Sequence, residues 1–158
     1  MAGQEINFIN KINLKPNKID QVSEFISYER QAAIHDLINE NSFLVKEKEI
    51  NGPYNLNIEI NNNVLLINII NEELSFNKDF RIPINSLRKI VKIYDASCKL
   101  YFNSIKEGSI EKIEEIEKNR RKIHNEGADK FIEITENKFE MDHNTARRMF
   151  TLLYTLYI

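Results

Sequence analysis

The spacing of hydrophobic positions changes period twice in the first half of the chain. A weak alternation over Ile6–Leu14 predicts a first strand, which Pro16 closes. From about Ile19 to Asn41 the apolar residues recur at helical spacing and predict a helix. Between Phe43 and Ile84 the period of two returns, and it predicts a β-meander. The first half therefore contains one helix between two strand-forming regions.

Two strands of the predicted meander form a hairpin. Apolar and polar residues alternate from Leu56 to Ile60, and Asn61–Asn63 separates them from a second apolar run, Val64–Ile70. A further alternating run contains Pro83. Because proline lacks a backbone N–H, either this strand lies at a sheet edge or the proline lies among the strand's last residues.

The second half of the chain follows the helical period. The spacing from Leu87 to Ile105 predicts a helix that Gly108 ends. An isoleucine stripe predicts a second helix, which Gly127 ends with a left-handed cap, and the two helices form a hairpin. A short strand at Lys138–Met141 then precedes a last helix, capped by Asp142.

These elements predict a single α+β domain over residues 1–158. It consists of an antiparallel β-meander packed by an N-terminal helix, a helical hairpin and a C-terminal helix. The composition agrees, since 42% hydrophobic and 29% charged residues are ordinary values for a globular protein. The formal net charge of −2 lacks the basic excess of a dedicated nucleic-acid binder.

The single cysteine and the N-terminal sequence predict a cytoplasmic protein. Cys98 has no second cysteine with which to pair, and its place in an apolar helical stripe predicts a core position. Residues 1–10 lack the basic stretch and apolar core of a secretory signal. The longest apolar run, Val64–Ile70, is far shorter than the roughly 20 residues that span a bilayer. We therefore expect no membrane partner.

The sequence lacks the motifs of the common enzyme classes. It contains no phosphate loop, dinucleotide-binding turn, nucleophile elbow or zinc-protease helix. The three histidines, His35, His124 and His143, are not spaced as a zinc set. We therefore expect no metal and no other cofactor, and whether the protein is an enzyme stays open.

A cluster of charged residues is predicted on helix faces that should be apolar. On the second helix of the hairpin, the apolar stripe passes from Ile116 through Arg120 to Ile123. Arginine keeps its proton, so an inward-facing arginine must pair with acceptors or line a cavity that admits an anion. On the first helix, Glu29 and Arg30 also lie in line with apolar positions.

More basic residues fall in the opening turns of the last helix, where backbone N–H groups favour an anion. Together with the charged cluster they predict a pocket for one anionic or polar ligand. The candidate residues are Arg30, Arg120, Arg121, His124, Asn125, Glu126, Arg147 and Arg148. In the alternative interpretation, nearby glutamates pair with these arginines and simply hold the helices together.

Several short motifs, spread over most of the chain, form a specific set. They are Glu29-Arg30, Ala33-Ile34, Asp36-Leu37-Ile38, Glu40-Asn41-Ser42-Phe43, Gly52-Pro53-Tyr54, Ile90-Val91-Lys92, Tyr94, Cys98, Arg120-Arg121, His124-Asn125-Glu126-Gly127, Thr145-Ala146-Arg147-Arg148 and Phe150-Thr151-Leu152. With these motifs the chain resembles the bacterial uncharacterised protein family 0262. The resemblance implies no known reaction, cofactor or partner, so no residue gains a catalytic role from it.

Three functions stay open at this point. The first is a small cytoplasmic binding or regulatory module that binds an anionic ligand and forms a homodimer through apolar helix faces. The second is an enzyme acting on a phosphate-bearing small molecule, with His124 or Glu126 as acid or base. The third is a weak RNA binder, which the near-neutral charge disfavours.

Overall fold

The computed structural model describes residues 6–15, 23–47 and 50–158. Within these ranges the helices are α1 (Glu24–Asn39), α2 (Arg88–Glu107), α3 (Ile110–Thr135) and α4 (His143–Tyr157). The strands are β1 (Ile9–Leu14), β2 (Phe43–Val45), β3 (Tyr54–Asn61), β4 (Val64–Asn71), β5 (Phe76–Pro83) and β6 (Phe139–Met141). The predicted strand end at Pro16 and the predicted start of the first helix, residues 19–22, lie outside the described residues.

The larger sheet has the strand order β1-β3-β4-β5. Strands β3, β4 and β5 form the predicted antiparallel meander, and Asn62 and Asn63 turn the hairpin with φ angles of 48° and 63°. Pro83 ends β5, which is an edge strand, as predicted. Strand β1 pairs parallel to β3, so the sheet is mixed. Alternation does not reveal this pairing, because parallel and antiparallel strands share the period of two.

One hydrophobic core joins the sheet to the helices, which confirms the α+β class. Its fully buried members include Ile58 and Ile67 of the sheet and Phe131 and Phe150 of the helices. The opposite face of the sheet combines apolar side chains such as Leu66 with polar ones. There the Asn57 amide donates to Asn68 Oδ1 at 2.9 Å, one contact in a row of side chains that crosses the strands.

The helical hairpin and the C-terminal helix form as predicted. Gly108 ends α2 with a φ of 77°, and Cys98 is buried on the same helix. Asp142 caps α4, because its Oδ1 accepts from the Thr145 N–H at 2.8 Å. The apolar stripe of α4 lies in the core, so this helix face is not available for the predicted homodimer. None of the helices in the described ranges is both long and apolar enough to cross a membrane.

The prediction that Gly127 ends a helix is wrong. Helix α3 continues through it to Thr135, and Gly127 is buried. A Cβ atom added at Gly127 would lie 2.5 Å from Cζ of Phe150, far inside van der Waals contact. The glycine therefore serves the packing of α4 on α3, which is the other common use of a residue without a side chain.

We expect Gly127→Ala to lower the free energy of unfolding by about 1–3 kcal/mol, because the methyl group overpacks the Phe150 contact. The gain of up to about 1 kcal/mol in helix propensity offsets only part of this loss. Chemical denaturation of the two proteins measures the difference. In the background of Phe150→Leu the same substitution should cost less, and an equal cost in both backgrounds would contradict the packing explanation.

Candidate functional site

Helices α1, α3 and α4 enclose a cleft of about 280 Å³, to which α2 adds one residue. Five of the eight predicted site residues line this cleft: Arg120, Arg121, His124, Arg147 and Arg148. The other lining residues are Glu29, Ala32, Ala33, Asp36, Tyr94, Glu117 and Thr151. Side chains from distant parts of the sequence therefore meet in one concave site.

Three predicted residues lie outside the cleft. Arg30 donates from Nη2 to the Thr155 carbonyl at 2.9 Å and from Nε to Thr155 Oγ1 at 3.3 Å. It therefore binds the last turn of α4, where a cation opposes the negative end of the helix dipole. Asn125 and Glu126 are exposed, because the helical rotation after His124 turns them away from the cleft.

Arg120 is held by carboxylates. Its Nε and Nη2 donate to the two carboxylate oxygens of Glu117 at 2.9 and 3.0 Å, a bidentate pair. Its Nη1 donates to the Tyr94 hydroxyl at 3.3 Å and lies 3.8 Å from Glu29 Oε1. The guanidinium also lies 4.8 Å from the centroid of the Tyr101 ring. Arg120 thus fits the structural alternative, in which carboxylates satisfy an inward-facing arginine.

Arg148 is also paired, although more weakly. Its Nε lies 3.7 Å from Asp36 Oδ2, and its Nη1 donates to the Asn144 carbonyl at 3.4 Å. The carboxylate is half exposed, so solvent screens this ion pair. Arg148 links α4 to α1 at the mouth of the cleft.

Arg121 and Arg147 differ from the other two arginines, because neither has a carboxylate within ion-pair distance among the described residues. Arg147 Nη2 lies 3.4 Å from His124 Nδ1, and its buried Nε has no hydrogen-bond partner in the part of the chain that the structure describes. A buried donor without an acceptor costs stability. Arg147 is therefore the half-buried cation of the cleft that lacks a carboxylate partner within the described ranges, Arg121 is an exposed cation that also lines the cleft, and Arg120 is paired.

His124 is a neutral histidine with a defined tautomer. Its Nε2 lies 3.0 Å from the Arg147 carbonyl and 2.8 Å from Thr151 Oγ1. A carbonyl only accepts, so the proton is assigned to Nε2, and Nδ1 is an acceptor beside the Arg147 guanidinium. The ring stacks on Tyr94 at 5.2 Å. Burial, reinforced by the Arg147 charge, lowers the pKa of His124 to about 4.

Glu29 carries the least compensated negative charge among the carboxylates of the cleft. Its side chain is only 20% exposed, and Arg120, its one cationic neighbour in the described residues, is already committed to Glu117. Burial raises the pKa of Glu29, Arg120 lowers it, and the nearby Glu117 carboxylate raises it. The cleft therefore contains a carboxylate that is only weakly compensated, by Arg120 at 3.8 Å, as well as guanidinium groups without a carboxylate partner among the described residues.

Sequence reasoning did not place several of these residues in the site. Glu117 and Thr151 carry a detectable signal, because they lie three residues before Arg120 and four residues after Arg147, on the same helix faces. Folding the predicted hairpin back about Gly108 already brings Tyr94 near Arg120, whereas Asp36 carries no signal, since only the packing of α1 on α4 brings it to the cleft. In the described ranges no three His, Cys, Asp or Glu side chains are grouped to hold a metal ion.

We expect the His124 ring to titrate near pH 4 in an NMR experiment, against its ordinary value of 6.5. Because the folded pKa is below the unfolded one, the unfolded chain binds more protons between these values, so the protein loses stability as the pH falls from 6.5 to 4. In His124→Gln this contribution should be missing from the pH profile of the unfolding free energy. His35→Gln, at an exposed position outside the cleft, is the control variant. Parallel profiles for wild type and His124→Gln would contradict the assignment.

Comparison with known proteins identifies the family. The family described as "Uncharacterised protein family (UPF0262)" matches residues 7–158. A UPF0262 protein of Ruegeria pomeroyi is 35% identical over 153 residues, covering 94% of this chain and 95% of the relative. One of Cereibacter sphaeroides is 39% identical over 149 residues, covering 89% and 94%. No solved structure matches. The chain therefore belongs to the uncharacterised protein family UPF0262, as its sequence motifs indicated.

Proposed function

We propose that this protein is a small cytoplasmic binding module for a phosphate-bearing ligand, which it holds at Arg147 and Arg121. The observation that carries the proposal is the state of Arg147. Its guanidinium borders an open cleft, has no carboxylate partner among the described residues and keeps a buried Nε without an acceptor. An anion in the cleft would supply the missing acceptor and the missing charge.

A phosphate group fits this site better than a ligand with one neutral acceptor atom does. Guanidinium groups match the oxygen geometry of phosphate, and two of them are uncompensated at one cleft. The N-terminus of α4 adds little directly, because Asp142 already occupies it as the cap. The side chains, more than the helix end, are therefore the proposed binding groups.

One observation supports the second candidate function, an enzyme acting on a phosphate-bearing small molecule. The unprotonated Nδ1 of His124 lies beside Arg147, so a ligand bound there would be next to a proton acceptor. With a pKa of about 4, however, His124 is a weak general base at neutral pH. Binding is the function that the geometry supports better.

The two remaining expectations have less support. Tyr154 is buried in the core, so it does not offer a stacking surface for the bases of RNA. Homodimer formation stays a prediction. Because the apolar face of α4 is buried, the surface that supports a homodimer consists of exposed apolar residues of the helical hairpin, Phe102, Ile105 and Ile110.

We expect inorganic phosphate to raise the melting temperature of the wild-type protein, and isothermal titration to give a saturable affinity at low salt. Arg147→Ala should weaken the affinity by about tenfold or more, and Arg121→Ala should act in the same direction. Arg88→Ala is the matched control, because Arg88 is exposed on α2 and does not line the cleft. Equal affinity in Arg147→Ala and Arg88→Ala would overturn the proposal.

A further inference from the structure

The uncompensated charges in the cleft are of both signs, and they lie on different helices. Arg147 belongs to α4 and Glu29 to α1. In addition to the positive charge at Arg147 and Arg121, the cleft has the carboxylate of Glu29, whose cationic neighbour Arg120 is bonded to Glu117. A ligand with only a negative charge would give the Glu29 carboxylate no partner, and the carboxylate would repel it.

Helix α3 connects the two sides of the cleft. Its residue Arg120 contacts Glu29, and its residue His124 contacts Arg147. These two residues of α3 are four positions apart, which corresponds to about 6 Å along a helix axis. The two contact residues on α3 are therefore about one helical turn apart, which is within the span of a small molecule.

The α1 side of the cleft has room for a ligand group. Ala32 and Ala33 lie three and four residues after Glu29, so they share its face of the helix. Both side chains are methyl groups and both line the cleft. The small side chains leave the Glu29 carboxylate accessible from the cleft, although the residue is mostly buried.

We propose that the ligand is a small amino-phosphate, in which the phosphate lies at Arg147 and Arg121 and a protonated amine donates to Glu29. This inference rests on the proposed function and adds the second half of the ligand. An ammonium group would donate hydrogen bonds to the Glu29 carboxylate, whereas Arg120 Nη1 lies 3.8 Å from Glu29 Oε1, beyond hydrogen-bond distance. The other two carboxylates of the cleft are less suitable, because Glu117 is saturated by Arg120 and Asp36 pairs with Arg148.

The test compares two probes that differ only in the amine. Phosphoethanolamine carries a phosphate and an ammonium group on a two-carbon linker, and ethyl phosphate carries the same phosphate and linker without the amine. Isothermal titration should give wild-type protein about a tenfold or greater preference for phosphoethanolamine. No preference would overturn the inference.

Glu29→Gln should reduce that preference to near unity while leaving the affinity for ethyl phosphate equal or higher, because a neutral amide no longer repels the phosphate. The variant should fold, since burial already disfavours the charged form of Glu29. Glu24→Gln is the control, because Glu24 is exposed on the same helix and outside the cleft. A preference retained in Glu29→Gln would also overturn the inference.

The outcomes separate the two proposals. If both probes bind equally and Arg147→Ala abolishes both, the phosphate site stands and the amine site fails. If neither probe binds the wild-type protein, the proposed function fails and the inference fails with it.

Discussion

The contact between Phe150 and Gly127 sets the distance between α3 and α4, and the cleft depends on that distance. His124 lies three residues before Gly127, and Arg147 and Thr151 lie on either side of Phe150 along α4. With the ring seated on the glycine, His124 reaches both the Arg147 carbonyl and Thr151. A larger residue at position 127 would separate the helices and break these contacts. The packing of an apolar ring on a bare backbone therefore positions the polar site.

The charges around the cleft fall into two classes with different physical consequences. Arg120 and Glu117 form a complete pair. Removing either side chain would leave the charge of the other uncompensated in a half-buried place. Arg147 and Glu29 are incomplete, and each carries a cost that the fold does not recover from its own contacts. Ligand binding is proposed because these two incompletely paired groups border an open cleft. A ligand with a negative group for Arg147 and a positive group for Glu29 would remove both costs.

Periodicity was sufficient to predict the elements of this fold, but not the way they pair. The alternation around Leu56 and the helical spacing from Leu87 identified the meander and the hairpin, since burial on one face imposes those periods. The parallel pairing of β1 and the close packing at Gly127 depend on contacts distant in sequence, which no local pattern records. The candidate site was also predicted only in part. An inward-facing Arg120 follows from helical geometry, whereas the binding of Arg30 to Thr155 depends on how α1 meets α4.

The most direct measurement of the central claim is the response of the arginine Nε–Hε signals in an NMR titration with phosphate. The account predicts that Arg147 Nε–Hε, which has no acceptor within residues 6–15, 23–47 and 50–158, shifts most, with Arg121 also responding. Arg120, whose Nε–H is already bonded to Glu117, should change little. A titration in which the Arg147 signal stays fixed while phosphate binds would contradict the account, because the uncompensated guanidinium would then not be the binding group.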